Sequence, residues 1–468
     1  LQAESLFGRR GSDHIALYDA KNDQALTFDQ LTERTSLLSE SLKEGKLRLA
    51  FCFSDNSIKS VLFYLGCLLA GLPIALFESK LLAERKLALF NIYEPDLVLC
   101  DAEDGPLLQN AGYTPGNIEG TDVWFKTRSA VDPSSDLALL LSTSGSTGSS
   151  RMVRLTLRNI EANTVSIIEA LGITQQDVAI TSLPIHYSYG LSVLNTHLYA
   201  GATVVLTEPA IMTGDFWKTF RQHKCTFLAG VPYTFELLDR LDLKRLNLPS
   251  LKKLTVAGGK LKPELAEKYH KLMSERGGEF FVMYGQTEAT ARIAILPPHM
   301  LPQELGSAGI AIPGGTLKIE EPDAKGYGEV IYEGTNVMLG YADSAQDLTL
   351  GDVNKGRLPT GDIGYLNEHG CLYVTGRLKR FAKIFGYRID LDAIESLVRK
   401  YCYCGIVSDD NNIYIFTEKD CDIESIKEAL EAEVNISRSV FLFRSLETIP
   451  HLSSGKMDYV QMRNYIDS

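Results

Sequence analysis

Residues 61–77 read VLFYLGCLLAGLPIALF, seventeen positions without a charge. A run of that length sits at the short limit for a membrane span. Gly71 and Pro73 break it into a helix-like part and a strand-like part. We read it as a buried helix leading into a buried strand, with no stable membrane insertion. Upstream, TFDQLTERTSLLSESLKEG opens with Thr27 three residues before Gln30, the spacing of a capping box. Leu31, Leu38 and Leu42 fall on one face before Gly45, which predicts a helix. KLRLAFCF, residues 46–53, reads as a buried strand, so helix and strand alternate. Strands are also expected at ATVVLTE, KCTFLAG, LKKLTVAGG and EFFVMYG, with helical stretches such as PELAEKYHKLMSERGG between them. This order predicts an α/β fold of layered, largely parallel sheets.

The chain has 468 residues, more than a single core of roughly 250–300 residues holds. After about residue 306, TLKIEEPDAKGYGEVIYEG and CLYVTGR read as short strands with turns, a small β subdomain. GIVSDDNNIYIFTE then reads as a hairpin turning at Asp409–Asn412, and ESIKEALEAEV as an amphipathic helix. The expected organisation is a large N-terminal domain over 1–378 and a small α+β C-terminal domain over 379–468. Acidic residues outnumber basic ones 59 to 47, a net charge of −12 that argues against a nucleic-acid partner. Eight scattered cysteines suit a reducing cytoplasm, and the opening LQAESLFGRR lacks the pattern of a signal peptide. Cys402 and Cys404 form a lone C-x-C, read as buried cysteines on one side of a strand and not as a metal site.

LSTSGSTGSSR, Leu141–Arg151, follows the apolar run Leu137–Leu141 and carries two glycines and seven hydroxyl-bearing residues. Such a loop can wrap an anion with backbone and hydroxyl donors. It is not a P-loop, because no Gly-Lys occurs in it. A flexible surface linker would have the same composition.

The loop is the first of a series: STSGSTGSSRMVRLTLRN, LPIHYSYGLSV, VMYGQTEAT, GTNVMLGY, LPTGDIG, GRLKRFAKIFGYRIDLDAIE and IPHLSSGKMD. In this order and spacing the series resembles the adenylate-forming superfamily of acyl-CoA synthetases, carrier-protein ligases, adenylation domains and luciferases. The match runs from about Thr27 to Asp458. The resemblance implies a mobile C-terminal domain and a reaction in two halves. A carboxylic acid attacks ATP to give an acyl-adenylate and pyrophosphate; a thiol of CoA or of carrier-protein phosphopantetheine then displaces AMP. Bringing two anions together makes positive charge and hydrogen-bond donors the central requirement.

By this resemblance Thr143, Ser144, Gly145, Ser146, Thr147 and Gly148 cover the β- and γ-phosphates, with Thr147 near Mg²⁺. Glu288 holds that ion, Thr287 contacts the α-phosphate and Tyr284 stacks on adenine. Asp362 accepts the ribose hydroxyls and Arg377 adds a ribose or phosphate contact. Lys456 reaches the reacting carboxylate in the first half-reaction. Lys379 is the hinge, after which the loop around Lys383 and Gly386 meets the pantetheine arm. His186 gates the acid pocket and thiol tunnel, and Gly258, Gly259 and Gly285 line the acid site. Read singly, Tyr284 is a core aromatic, Glu288 a solvated charge, Lys456 a surface lysine and His186 a packed residue.

Two departures stand out. The phosphate loop continues Ser150-Arg151-Met152 where relatives carry Pro-Lys-Gly, and Leu157 replaces a histidine in Thr156–Asn159. An aspartate that would hold a substrate ammonium is missing near His186, which favours an acyl or aryl acid over an amino acid. The competing expectations are a luciferase-like oxidation of the adenylate, and a non-catalytic nucleotide or acyl-adenylate sensor.

Overall fold

In the computed structural model the charge-free stretch divides where its glycine and proline require. Helix Ile58–Ala70 stops at Gly71, whose φ of 70° is left-handed, and the Gly71 amide caps the carbonyls of Cys67 and Leu68. Strand Ile74–Glu78 follows Pro73. Ten residues of the helix and four of the strand are buried, so the missing charges reflect a protein interior. Among the described residues no helix is long and apolar enough to cross a membrane.

The structure describes residues 13–126, 131–142, 151–208, 211–378, 381–384, 387–409, 412–418, 421–433, 440–452 and 455–466. The chain divides into two compact units. The first takes in the described residues of Leu1–Thr143, Ser150–Thr316 and Tyr332–Leu358; the second, those of Leu317–Ile331 and Pro359–Ser468.

The first unit is α/β and carries two large sheets. The eight-stranded sheet has the order Gly340–Ala342, Met152–Leu155, Leu139–Ser142, Ile74–Glu78, Ala50–Ser54, Leu97–Leu99, Thr121–Phe125 and Thr114–Ile118. Its centre is parallel: Ala50–Ser54 and Leu139–Ser142 both pair in parallel with Ile74–Glu78, which is why these strands are apolar on both faces. The nine-stranded sheet has the order Ile310–Ala311, Ala294–Leu296, Glu279–Tyr284, Lys253–Val256, Phe227–Gly230, Val178–Ile180, Thr203–Leu206, Ile15–Asp19 and Gln24–Thr27. Each strand expected before residue 306 lies in one of these sheets. Helix Phe28–Glu44 begins at the Thr27–Gln30 capping box, with bonds of 3.2 and 3.0 Å, and buries Leu31, Leu38 and Leu42.

The second unit holds most of a four-stranded sheet ordered Gly315–Glu320, Gly328–Gly334, Arg357–Leu366 and Leu372–Arg377. From Phe381 onward the chain is α+β. Strands Cys404–Ser408 and Ile413–Glu418 form the expected hairpin, and Phe441–Leu446 adds in parallel to the second. Ile406, Ile413 and Ile415 pack with Ile394, Val398, Ile426 and Leu430 from helices Leu391–Val398 and Ile423–Glu433. Val407, Tyr414 and Phe416, on the alternate positions, pack with Met462 of helix Tyr459–Asn464.

One expectation is corrected here. Cys402 and Cys404 do not share a strand: Cys404 begins Cys404–Ser408, whereas Cys402 lies before it and forms a disulfide with Cys421. Helices Leu391–Val398 and Ile423–Glu433 share one core, and this brings the end of the first to the start of the second. The remaining six cysteines are free and buried. Spacing alone does not reveal a pairing of this kind.

Candidate active site

Strand Glu279–Tyr284 ends where the nine-stranded sheet leaves its parallel order, and the segment after it carries the nucleotide-contact candidates. Gly285 is required there. A Cβ at this position would stand 1.8 Å from the Ala291 carbonyl oxygen, because the chain doubles back within seven residues. Thr287–Ala289 make one 3₁₀ turn, after which Thr290 and Ala291 adopt positive φ values of 61° and 127°. Such conformations persist only when the surroundings over-determine them. Asn336 supplies that constraint: its Nδ2 donates to the carbonyls of Ala289 and Arg292 at 2.8 and 3.0 Å. Its own carbonyl accepts the Thr290 hydroxyl at 2.6 Å, and its Oδ1 accepts the Tyr332 hydroxyl at 2.8 Å.

The turn presents Glu288, partly buried, and its Oε1 accepts the Tyr341 hydroxyl at 2.8 Å. Burial, and then the Glu288 charge, push the Tyr341 phenol well above its ordinary range, so it stays a proton donor to the carboxylate. The Arg151 guanidinium lies 4.9 Å from the Tyr341 ring centre and forks onto both carboxylate oxygens of Asp343, at 2.9 and 3.0 Å. The arginine that replaces a lysine in the phosphate loop therefore holds a bidentate pair that a lysine cannot make. Among the described residues no three metal-ligating side chains converge. A lone carboxylate fits Mg²⁺, which binds through one or two carboxylates and takes its other oxygens from phosphates and water.

Thr287 is buried, and its hydroxyl lies 3.2 Å from that of Ser188, the first residue of helix Ser188–Tyr199. Two residues earlier His186 is partly buried, and burial pushes its imidazole down to about 4, so it is neutral at physiological pH. Tyr189, on the same helix, meets the Thr255 hydroxyl at 2.7 Å. Thr255 lies in Lys253–Val256, the strand whose exit carries Gly258 and Gly259. His186, Thr287 and the two glycines are thus linked through one helix start. Tyr284 is partly buried at the end of its strand, 3.4 Å from the Gln286 amide.

In the second unit, Asp362 and Arg377 are direct partners on antiparallel strands, and Arg377 Nε donates to Asp362 Oδ1 at 3.0 Å. Asp362 is 2 % exposed, and the guanidinium balances its buried charge. Lys456 lies on a tight loop closed by a His451–Met457 bridge and by Leu452 N–H to the Lys456 carbonyl at 2.7 Å. Both ends of the loop are anchored. The Tyr403 hydroxyl and His451 Nε2 lie 2.7 Å apart. The Tyr459 hydroxyl spans both oxygens of the buried Glu395 at 2.9 and 3.1 Å, and Arg399 pairs with Glu395 at 2.8 Å.

Thr143, Ser144, Gly145, Ser146, Thr147 and Gly148 lie outside the described residues, as do Lys379 and Gly386. The strands that flank the phosphate loop, Leu139–Ser142 and Met152–Leu155, pair antiparallel. Lys383 lies in strand Phe381–Ile384, opposite Arg388. Asn336 and Tyr341 were not singled out from sequence, although both stand in GTNVMLGY. Their signal was the motif itself, an asparagine and a tyrosine with no periodicity to explain them.

Known proteins resemble this chain in sequence and fold. The family model described as AMP-binding enzyme matches residues 6–342. A 2-succinylbenzoate–CoA ligase of Staphylococcus epidermidis is 25% identical, the match covering 95% of this chain and 94% of that protein. One from Staphylococcus aureus is also 25% identical, with 96% of each covered. The o-succinylbenzoate CoA synthetase of Bacillus subtilis, solved with the acyl-adenylate intermediate OSB-AMP, superposes with a TM-score of 0.74 at 25% identity, over 96% of this chain and 95% of that one. ATP-bound MatB from Rhodopseudomonas palustris shares the fold, with a TM-score of 0.79 at 20% identity over 100% and 99%. This chain belongs to the AMP-binding enzyme family, within the adenylate-forming superfamily.

Proposed function

We propose that this chain activates a carboxylic acid with ATP, releasing pyrophosphate, and passes the acyl group from the adenylate to the thiol of CoA. The observation that carries this reading is the Thr287–Glu288 turn. One hydroxyl and one carboxylate are presented side by side on a strained segment that Asn336 clamps, and Tyr341 holds the carboxylate. Thr287 donates to the α-phosphate, where negative charge builds as the acid attacks. Glu288 and Thr147 hold Mg²⁺, which offsets the charge of the triphosphate. Residues 143–148 cover the β- and γ-phosphates, Tyr284 stacks on adenine, and Asp362 and Arg377 take the ribose.

Lys456 bridges the reacting carboxylate and the α-phosphate and serves only the first half-reaction. Residues 1–378 then act as the adenylation portion and 379–468 as a mobile one that pivots at Lys379. After the pivot Lys383 and Gly386 meet the pantetheine arm, and neutral His186 gates the route from the acid site to the thiol. Gly258, Gly259 and Gly285 line the acid site, and an aryl or acyl acid is the substrate class. The Staphylococcus relatives are 2-succinylbenzoate–CoA ligases. The enzyme works in the cytoplasm, with ATP and CoA as its soluble partners.

The test is pyrophosphate release with ATP and Mg²⁺ across short, medium, long-chain and aryl acids, each alone, with CoA, and with a phosphopantetheinylated carrier protein. Release that depends on the acid, is lost in Lys456→Ala and is accelerated by CoA is the expected result. ATP binding without release for any acid would replace this reading with that of a nucleotide sensor. Acceleration by the carrier protein alone would change the acceptor.

A further inference from the structure

Six of the eight cysteines are buried free thiols, as in a protein kept in a reducing compartment, yet Cys402 and Cys421 are joined. These two are also the cysteines that are only partly buried. In a reducing cytoplasm disulfides are, as a rule, transient, catalytic or redox-sensing, and those that a reductant can reach are the ones that open.

The neighbours of the two sulfurs show what closure controls. Cys402 ends the turn that leaves helix Leu391–Val398, its amide donating to the Val398 carbonyl at 3.1 Å. Beside it in the chain stand two residues that reach the loop carrying Lys456. The Tyr403 hydroxyl lies 2.7 Å from His451 Nε2, with the two rings stacked. Arg399 lies 5.4 Å over the Tyr403 ring, and its Nη2 comes within 4.0 Å of Met457 Sδ. His451 and Met457 form the bridge that closes the Lys456 loop, so Arg399 and Tyr403 touch both sides of its neck. Cys421 has the same relation at its own end. Three residues before it, at the end of strand Ile413–Glu418, the Glu418 carboxylate accepts the Ile449 amide at 3.4 Å, two residues before His451. The disulfide therefore ties together two chain segments that each hold the base of one loop.

Resting on the adenylation reading above, we propose that the Cys402–Cys421 disulfide is a redox switch on the position of Lys456, opened by a dithiol. Closed, it fixes residues 399–403 against the end of strand Ile413–Glu418, and the neck of the loop is held from both. A dithiol opens it by exchange. One thiolate of the reductant attacks a cysteine sulfur, the S–S bond breaks, and the other cysteine leaves as a thiolate and takes up a proton. The second thiol of the reductant, deprotonated, attacks the mixed disulfide, and the first cysteine leaves in the same way. Two electrons and two protons pass to the protein, and the reductant departs as a disulfide. Without the tie, Tyr403 and Arg399 hold His451 and Met457 less firmly, and Lys456 spends less time at the reacting carboxylate. Opening slows the half-reaction that uses Lys456 and spares the one that does not.

The test compares the full chain after oxidised glutathione and after dithiothreitol, each reagent being removed before assay. Denatured and alkylated, the oxidised chain should take up six labels and carry no glutathione, and the reduced chain should take up eight. ATP–pyrophosphate exchange with an acid that supports it should be about threefold to tenfold slower in the reduced chain. It should return on reoxidation and should not respond to redox in the double variant Cys402→Ser, Cys421→Ser. Transfer from a preformed adenylate to CoA should be unchanged. Hydrogen exchange at the Leu452 amide, which donates to the Lys456 carbonyl, should quicken in the reduced chain. Eight labels in the oxidised chain overturn the proposal, as do equal exchange rates in the two forms, equal slowing of both half-reactions, or a response to dithiothreitol that survives in the double variant. If the double variant does not fold, reversibility in the wild type decides. Redox-dependent hydrogen exchange at Leu452, with no pyrophosphate exchange for any acid, sinks the adenylation reading and leaves the switch on the loop standing. If hydrogen exchange is unchanged as well, both fall.

Discussion

Tyr341 exemplifies a residue whose importance comes from a single bond. Its hydroxyl is 2.8 Å from Glu288, 53 residues away in sequence. Removing it in Tyr341→Phe leaves the ring under Arg151 and deletes only the donor. A hydrogen bond to a charged group contributes about 1.5–3 kcal/mol. We expect adenylation to slow by about tenfold or more, with a raised Mg²⁺ requirement in the same assay; an unchanged Mg²⁺ titration would mean that Tyr341 does not position the carboxylate. His197 matters through burial instead: it is fully buried, with Nδ1 2.8 Å from the Val193 carbonyl and its ring against Phe227. Burial holds its imidazole down at about 4, below the ordinary 6.5. Between those values the unfolded chain takes up a proton and the folded chain does not, so stability is full above 6.5 and is lost as the pH falls toward 4. The loss from this residue is about 3 kcal/mol. Denaturant unfolding of His197→Gln should show lower stability at neutral pH and a shallower decline across that window; parallel curves would refute the assignment.

Elements were legible where the pattern was local. The Thr27 cap, the leucines of Phe28–Glu44 and the break at Gly71 each involve residues within one or two turns, and the structure follows them. The clamp of Asn336 on Ala289, Thr290 and Arg292 was not legible, because its partners lie more than forty residues upstream and no periodicity marks them. Asp362 and Arg377 were each read from motifs, but their pairing is a matter of strand register and appears only once the hairpin is built. The Lys456 loop makes the same point. Its motif was visible, but the Tyr459–Glu395–Arg399 anchor was not. Glu395 and Tyr459 hold the loop, so Tyr459→Phe separates position from fold. Formation of the adenylate should slow by about fivefold to tenfold, whereas transfer from a preformed adenylate to CoA should be unchanged. Equal slowing of both steps would indicate a general loss of structure.

At the scale of the whole molecule, one covalent link stands apart from otherwise buried, unpaired thiols. The Cys402–Cys421 disulfide closes a loop across a separation of 19 residues in the C-terminal α+β region. A closed loop of that size contributes about 3 kcal/mol by restricting the unfolded chain. Reduction, or Cys421→Ser, should therefore lower the unfolding midpoint of that region measurably by calorimetry, with the first unit unaffected. A single shared shift across the chain would show that the two units unfold together.

The edge strand Gly340–Ala342 sets a phase for the active site. Its Cα partners run Gly340 to Arg154, Tyr341 to Val153 and Ala342 to Met152, while Asn336 is fixed five residues before Tyr341 by its grip on the strained turn. Side chains in a strand alternate, so the spacing from 336 to 341 acts as a ruler. Adding or deleting one residue within it would leave the sheet free to pair again but would turn Tyr341 to the opposite face. Glu288 would then lose its donor while every other group stayed in place, a failure of timing along the chain with no loss of any part.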